Sequence, residues 1–427
     1  MNFLRRGLRP IQQRAVSVLT DVGETAGSNV AIILVSFGAS VLAARLLGPE
    51  HRGALAAAVV YVALATAIAD AGLNQAVPFF AARHKPQAAA VLGTTCLLGL
   101  VLGSAVSTAA YLLLRLRGAD SPVVLLFLPS VPFSLLTTHL STFLYGGNVL
   151  TPFNTLRVLQ SSVMLVAIVA GATTGNADVS RILAIAVAAS AALAAGAVWA
   201  VSRHVPLRQW TVRLPVAKDL LAYALQSYVG NLCWLFNSRL DQLMMSFLVP
   251  SAVLGIYATS VSYSGVVFSC FSAFAMLAFA KASALETHGD VEVTRTIRHY
   301  LVVSLAMGIP VAVALALVAP WLYPILFGAE FEPGIPVAMI LCLASVFLGL
   351  NYTLSNGLRI RNRPLLPSVA EAVGVVVSII GLFIVLPRAG MFGAALVSLA
   401  SYAVVFAILL YLTRSPGSSA RLTGSRS

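Results

Sequence analysis

Charged residues are scarce in this chain. Of 427 residues only 10% are Asp, Glu, Lys or Arg, whereas a soluble domain has about 25%. Hydrophobic residues make up 59% of the sequence. This balance excludes a water-soluble globular fold, because too few polar side chains are available to cover a surface in water.

Cysteine is scarce as well, and recognisable catalytic patterns are missing. The four cysteines lie far apart in apolar runs without CxxC or zinc-ligand spacing, so neither a disulfide framework nor a metal site is indicated. The sequence has no GxSxG, HExxH, phosphate-binding loop or dinucleotide fingerprint, and most of its histidines fall between apolar runs. We therefore expect no catalytic residues, no metal, no bound cofactor and no enzymatic activity. The residues concerned are Cys96, Cys233, Cys270 and Cys342, and His51, His84, His139, His204, His288 and His299.

Long apolar runs are abundant. A helix needs about 20 mostly apolar residues to cross the hydrocarbon core of a bilayer. Runs of this kind recur along the whole chain and predict an all-α integral membrane protein with about twelve transmembrane helices. The predicted spans are 25–47, 53–80, 88–114, 122–145, 155–175, 180–201, 219–249, 251–280, 300–327, 334–357, 364–386 and 390–412.

The basic residues predict an orientation in the membrane. If the amino terminus is cytoplasmic, most Lys and Arg residues fall in cytoplasmic segments, as the positive-inside rule requires. Both termini are then cytoplasmic. The net charge of +13 is thus a signal of topology, with attraction to anionic lipids as a consequence, and nucleic-acid binding is not implied.

Two similar turns suggest an internal repeat. The turn after the first span contains Pro49 and Gly53, and the turn after the seventh contains Pro250 and Gly255. With six spans on either side of a basic connector, this favours two parallel six-helix repeats around a cleft that can alternate its opening. The alternative is that Pro and Gly only mark tight hairpins. The predicted parts are 1–201 (first half), 202–218 (connector), 219–413 (second half) and 414–427 (cytoplasmic tail).

Several short segments together resemble the oligosaccharide flippases of bacterial polysaccharide biosynthesis, in the multidrug/oligosaccharidyl-lipid/polysaccharide exporter superfamily. The likeness covers nearly the whole chain, with the segments in the right order. They are 44–50 (ARLLGPE) with Gly53, 70–73 (DAGL), 239–242 (RLDQ), 255–258 (GIYA), 326–331 (LFGAEF) and 390–395 (GMFGAA).

The resemblance implies two pseudo-symmetric six-helix bundles around a central cavity in the bacterial cytoplasmic membrane. It also implies that the protein moves an undecaprenyl-linked oligosaccharide from the cytoplasmic to the outer leaflet by alternating access, with membrane lipids and glycosyltransferase or polymerase machinery as partners. The chain looks poorer in cavity cations than lipid II flippases of the same superfamily. An ion-coupled multidrug exporter of the same fold is the alternative, and Arg239 argues against it.

Arg239 lies within the seventh predicted span, where an ionisable group costs about 2.5–3.5 kcal/mol to insert. Because guanidinium matches phosphate, we hypothesise that Arg239 binds the diphosphate of a carrier lipid; a structural ion pair is the alternative. Trp234 and Asn237 lie on the same face of this helix as Asp241 and predict a watery groove for sugar, together with Ser227, Gly230 and Ser238. Asn29 is a further substrate-binding candidate, on the first span.

Three carboxylates are candidates for ion coupling or gating. Asp241 could bind a coupling H+ or Na+, since a carboxyl inside a span can respond to which side is open, or it could hold helices together. Glu371 lies near three arginines in sequence and could form an ion pair at a gate or reach the membrane interface. Asp70 precedes Gly72, where a helix break could line an inward gate or serve only as a local cap. The arginines are Arg359, Arg361 and Arg363.

Overall fold

A computed structural model of the chain describes residues 2–83, 87–116, 122–173, 178–284, 290–361, 363 and 365–414. All regular structure in these ranges is helical, and beyond Arg414 the predicted tail lies outside the described residues. The α-helices are α1 Asn2–Asp70, α2 Leu73–Arg83, α3 Ala88–Leu116, α4 Pro122–Phe127, α5 Ser130–Gly146, α6 Leu150–Thr173, α7 Val179–Ser202, α8 Leu214–Leu248, α9 Ser251–Ala284, α10 Asp290–Phe327, α11 Ile335–Ile360 and α12 Leu365–Arg414.

Within the described residues, nine helical segments are long and apolar enough to cross a membrane. Two of them, Gly23–Asp70 with 48 residues and Leu365–Thr413 with 49 residues, are about twice as long as one crossing requires. Helix α8 is also long enough at 35 residues, but polar side chains interrupt its apolar sequence. Counting each long segment twice and adding α8 gives twelve crossings, so the predicted fold class is confirmed.

Each of the two long helices bends at a glycine. Gly48 in α1 has φ 66° and ψ 176°, and Gly390 in α12 has φ 54° and ψ −141°. These backbone conformations are accessible almost only to glycine, because a Cβ atom would clash with the neighbouring peptide groups. The kinks therefore separate the first two and the last two crossings.

A third break interrupts the second crossing, between α1 and α2. Ala71 and Gly72 both have left-handed backbone conformations, with φ 49° and φ 83°. The helix break that the sequence predicts beside Asp70 is thus present.

The chain forms two compact units, Met1–Tyr228 and Val229–Ser427, called unit 1 and unit 2 below. In unit 1, apolar side chains of α1, α4, α5 and α7 form one buried cluster and those of α2, α3, α5 and the start of α8 form another. The segment between α7 and α8 packs on α3, where the Thr211 amide donates to the Ala89 carbonyl at 3.3 Å.

Unit 2 has an aromatic and polar core. Helix α9 packs against α10 and α11, and α11 packs against α12. Tyr257, Tyr263 and Phe271 of α9 are fully buried, as is Tyr323 of α10. The Tyr323 hydroxyl lies 2.7 Å from Thr259 Oγ1 and 2.9 Å from Ser260 Oγ, so this packing buries hydroxyl groups that bond to one another.

Many large apolar side chains are exposed, as in a protein whose outer surface faces lipid. Examples from four crossings are Leu34, Leu113, Leu317, Ile325 and Phe383.

Candidate functional site

Asn237 on α8 is the centre of a buried hydrogen-bond network in unit 2. Its Nδ2 donates to Glu371 Oε2 at 2.9 Å, and its Oδ1 accepts from Ser401 Oγ at 2.9 Å and from Ser378 Oγ at 3.3 Å. The partners belong to both halves of α12, before and after the kink at Gly390. One amide side chain therefore joins three crossing segments.

Asp241 lies one helical turn beyond Asn237 on the same face of α8. Its Oδ2 accepts from Tyr257 Oη of α9 at 2.5 Å and from Ser398 Oγ of α12 at 3.1 Å. Its Oδ1 accepts from the Gln242 amide at 2.7 Å. The carboxylate thus receives only neutral donors, and none of the described residues forms an ion pair with it.

Glu371 is 3% exposed and bonds to Asn237. The predicted ion pair with the nearby arginines does not form as a direct contact within the described part of the chain. Arg359 instead donates to Asn231 Oδ1 at 3.2 Å. Arg359 and Glu371 thus interact electrostatically without a hydrogen bond between them.

This polar face of α8 is covered by α9 and α12. Asn237 is 3% and Asp241 5% exposed, so the expected open, watery groove along this face does not hold in this structure. Ser227, on the same predicted face, lies outside the described side chains.

Two buried carboxylates without a bonded cation are costly unless they bind protons or a small cation. We call Asn237, Asp241, Glu371 and their hydroxyl partners the unit 2 polar cluster.

Arg239 and Trp234 lie outside this network. Arg239 is half-buried and, among the described residues, no carboxylate forms an ion pair with it. Trp234 packs near Tyr352 of α11, with ring centroids 6.4 Å apart. Its indole Nε1 is buried without a hydrogen-bond acceptor in the described residues. Both side chains thus keep donors that a ligand could use.

In unit 1, Asp70 forms a buried pair with a histidine. Asp70 Oδ1 lies 2.9 Å from Nε2 of His139 on α5 and also accepts from the Asn74 amide at 3.2 Å. Asp70 therefore caps α2 across the helix break. This contact corresponds to the second role considered for Asp70 in the sequence, that of a local cap. His139 is 1% exposed and lies within a crossing helix, inside the predicted span 122–145.

Asn29 lies elsewhere in unit 1, on α1 against α6. Its Oδ1 accepts from Arg157 Nη2 at 2.8 Å, and Asn154 Nδ2 donates to Thr25 Oγ1 at 3.2 Å along the same pair of helices. Asn29 is thus part of a polar contact between α1 and α6, apart from Asp70.

In unit 2 the structure brings together three of the predicted residues, Asn237, Asp241 and Glu371, whereas Arg239 and Trp234 take no part in their hydrogen bonds. It adds neighbours that sequence reasoning missed, and two signals could have found them. Ser398, Ser401 and Tyr402 are spaced along one face of a helix, and His139 is a titratable residue inside an apolar span. The missed residues are His139, Tyr257, Ser378, Ser398, Ser401 and Tyr402.

Comparison with known families gives a match over more than half of the chain. The model of the family described as polysaccharide biosynthesis protein matches residues 18–280. A relative in Haloferax volcanii, the probable low-salt glycan biosynthesis flippase Agl15, is 23% identical over 189 residues. That alignment covers 44% of this chain and 40% of the relative, so the similarity spans less than half of either protein.

Solved structures share the fold. The lipid II flippase MurJ in an inward closed conformation superposes with a TM-score of 0.72 and 15% identity, over 92% of this chain and 87% of that one. An inward-facing multidrug resistance transporter of the MATE family, in the MOP superfamily, gives a TM-score of 0.72 and 14% identity, over 91% of this chain and 97% of that one. The eukaryotic MATE transporter AtDTX14 gives 0.68 and 14%, over 94% and 96%. At these identities the likeness concerns the fold alone.

Proposed function

The chain belongs to the polysaccharide biosynthesis protein family, and we propose that it is a flippase for an undecaprenyl-linked oligosaccharide. It moves the glycan from the cytoplasmic to the outer leaflet of the bacterial cytoplasmic membrane by alternating access, with both termini in the cytoplasm. It acts without covalent catalysis, beside the glycosyltransferase or polymerase machinery that makes and uses the glycan. The transporter fold and the match to the family support this proposal.

Arg239 is the observation within the chain that carries the proposal. Arg239 forms no contact ion pair among the described residues and acts on Asp241 only through a longer-range electrostatic interaction. An arginine of this kind inside a crossing helix is expected to serve a ligand. A guanidinium donates two parallel hydrogen bonds to phosphate oxygens, so Arg239 binds the diphosphate of the carrier lipid. Trp234, whose indole N–H has no acceptor among the described residues, contacts the sugar.

The Arg239 proposal is tested by transport in reconstituted vesicles. We expect Arg239→Ala to lower the rate of undecaprenyl-diphosphate oligosaccharide flipping by about tenfold or more, since a hydrogen bond to a charged group contributes roughly 1.5–3 kcal/mol. Arg239→Lys keeps the charge but loses the planar fork, so its activity should be intermediate. The rate is measured from the access of an added glycan-cleaving enzyme to the outer leaflet.

The matched control is Arg388→Ala, which removes an exposed arginine whose Nη1 donates to the Ile384 carbonyl. This variant should flip at the wild-type rate. Full flipping by Arg239→Ala, with normal membrane insertion, would contradict the role of Arg239. Absence of flipping by the wild-type protein would contradict the function as a whole.

The unit 2 polar cluster is the candidate for ion coupling. Asp241 and Glu371 bind a proton or Na+ in one conformation, which offsets the cost of burying their charge, and release it in the other. We expect a Na+ or pH gradient to accelerate flipping by the wild-type protein and to have no effect on Asp241→Asn. Equal acceleration in both proteins would exclude coupling at Asp241.

A multidrug exporter is the second candidate function, because a MATE transporter superposes as well as MurJ does, each with a TM-score of 0.72. The family match and Arg239 favour the flippase, since an arginine repels cationic drugs. Export of cationic dyes by vesicles that do not flip lipid-linked oligosaccharide would favour the exporter instead.

A further inference from the structure

The pair Asp70–His139 in unit 1 takes no part in the transport steps described above. His139 Nε2 and Asp70 Oδ1 are 2.9 Å apart, and the side chains are 1% and 12% exposed. We propose that this pair is a second proton-binding site, which exchanges one proton in each transport cycle. The proposal rests on the flippase function for its coupling role, whereas proton binding can be tested without transport.

The charge of the pair explains why one proton is held. With a single proton shared between carboxylate and imidazole, the pair is neutral overall. Removing that proton leaves one net negative charge, and adding another leaves one net positive charge. Either net charge is unfavourable in a buried site inside a membrane-spanning unit. The proton therefore stays while the pair is buried and exchanges when water reaches it.

The second nitrogen of His139 makes the imidazole dependent on Asp70. Nδ1 of His139 is buried and has no hydrogen-bond partner in the described part of the chain. Gly99 of α3 lies against it, and a Cβ atom at Gly99 would be 2.9 Å from Nδ1. Among the described residues, Asp70 is thus the acceptor that stabilises a protonated His139 imidazole.

Other titratable groups around the pair are few. Tyr228 of α8 interacts electrostatically with Asp70, and Cys96 lies one turn from Gly99 on α3. The described charged side chains on the helices packed against α5 bond elsewhere or are exposed. Examples are Arg52 of α1, Arg83 of α2, Arg115 of α3, Arg157 of α6 and Arg181 of α7.

The pair is tied to the break between α1 and α2. Asp70 Oδ1 bonds to His139 Nε2 and also accepts from the backbone amide of Asn74, which lies in the first turn of α2. On the other side of the break, Tyr228 Oη donates to the Ile68 carbonyl at 3.0 Å. A proton on Asp70 Oδ1 would displace one of the bonds that this oxygen accepts. Proton exchange thus changes the contacts that hold the broken helix.

The proton site is tested by NMR of isotope-labelled histidine in the full-length protein in lipid nanodiscs. Loss of one resonance in His139→Gln assigns His139, and His204→Gln, at an exposed position after α7, is the matched control. We expect His139 to be protonated or to share its proton at neutral pH in the wild-type protein. In Asp70→Asn it should be neutral in the same buffer, because the buried imidazolium has lost its counter-ion. The same protonation state in both proteins would overturn the proposal.

A second pair of variants tests the proposal independently if Asp70→Asn does not fold. Gly99→Ala should displace the imidazole, because the added Cβ would lie 2.9 Å from Nδ1, and should therefore change the His139 resonance. Gly196→Ala on α7 should leave it unchanged, because a Cβ atom there meets nothing within 4 Å. Identical His139 resonances in the two alanine variants would also overturn the proposal.

The coupling role is tested in vesicles with an imposed pH gradient. Wild-type protein should flip lipid-linked oligosaccharide faster with the gradient than without it, whereas Asp70→Asn and His139→Gln should lose this acceleration and keep slow flipping without a gradient. Equal acceleration in all three proteins would overturn the coupling role. If the wild-type protein flips nothing, the flippase function fails, and the NMR result alone then decides whether the pair is a proton site.

Discussion

At the scale of single residues, buried polar side chains of this protein form hydrogen bonds between crossing segments. Asn237 is the clearest case, because both ends of its amide are bonded to other crossing segments. A buried polar atom that loses its partner costs about 1–3 kcal/mol. The amide therefore both holds α8 to α12 and keeps Glu371 in place.

We predict that Asn237→Leu lowers the free energy of unfolding by about 1–3 kcal/mol, because it leaves the Glu371 carboxylate and the Ser378 hydroxyl without this partner. Unfolding of the purified protein in detergent, followed with increasing denaturant, measures the change.

Asn74→Leu is the control, because the Asn74 side chain is exposed and its backbone amide, which bonds to Asp70, is retained. A substitution of this kind normally changes stability by about 0.5 kcal/mol or less. Equal losses in Asn237→Leu and Asn74→Leu would contradict the structural role of the Asn237 amide.

At the scale of elements, glycine divides the long helices into crossings. A Cβ atom added at Gly390 in α12 would meet no other atom within 4 Å, so the importance of this glycine comes from the backbone alone. With φ 54° and ψ −141°, it adopts a conformation in which an L side chain is strained by about 1–3 kcal/mol.

We predict that Gly390→Ala destabilises the protein by about 1–3 kcal/mol, whereas Gly196→Ala, in the regular helix α7, is neutral or stabilises it by up to about 1 kcal/mol. Thermal unfolding of the two variants in the same detergent measures the difference. If the variants unfold at the same temperature, the kink does not depend on glycine.

At the scale of the whole molecule, charge and hydrophobicity determine how the chain crosses the membrane. Basic residues collect between every second pair of predicted spans, and the segment 202–218 is the most basic of the internal connections. The segment after α10, a short 3-10 helix at Ala329–Gly334, contains acidic residues and no basic ones.

We predict that Arg208→Cys reacts with a membrane-impermeant thiol reagent only from the cytoplasmic side, and Glu332→Cys only from the outside. Both positions are exposed, and the positive-inside rule places them on opposite sides. The experiment uses a protein whose four native cysteines are replaced by alanine, labelled in intact cells and in inverted vesicles. Labelling of both positions from one side would contradict the topology.

Local features of the sequence determined the fold class and the family of this protein. Long apolar runs specify crossing helices because each helix satisfies its own backbone hydrogen bonds, and glycine and proline mark the breaks at Gly48, Gly72 and Gly390. These signals act within a few residues, so they can be recognised without the tertiary structure.

The partners of the polar residues were decided only by the tertiary structure. Asn237 and Glu371 are 134 positions apart in sequence, Asp241 and Ser398 are 157 apart, and Asp70 and His139 are 69 apart. Periodicity gives the face on which each side chain lies, but it does not specify which helix covers that face. For this reason the sequence predicted an open groove along α8, and helix packing instead buried that face against α9 and α12.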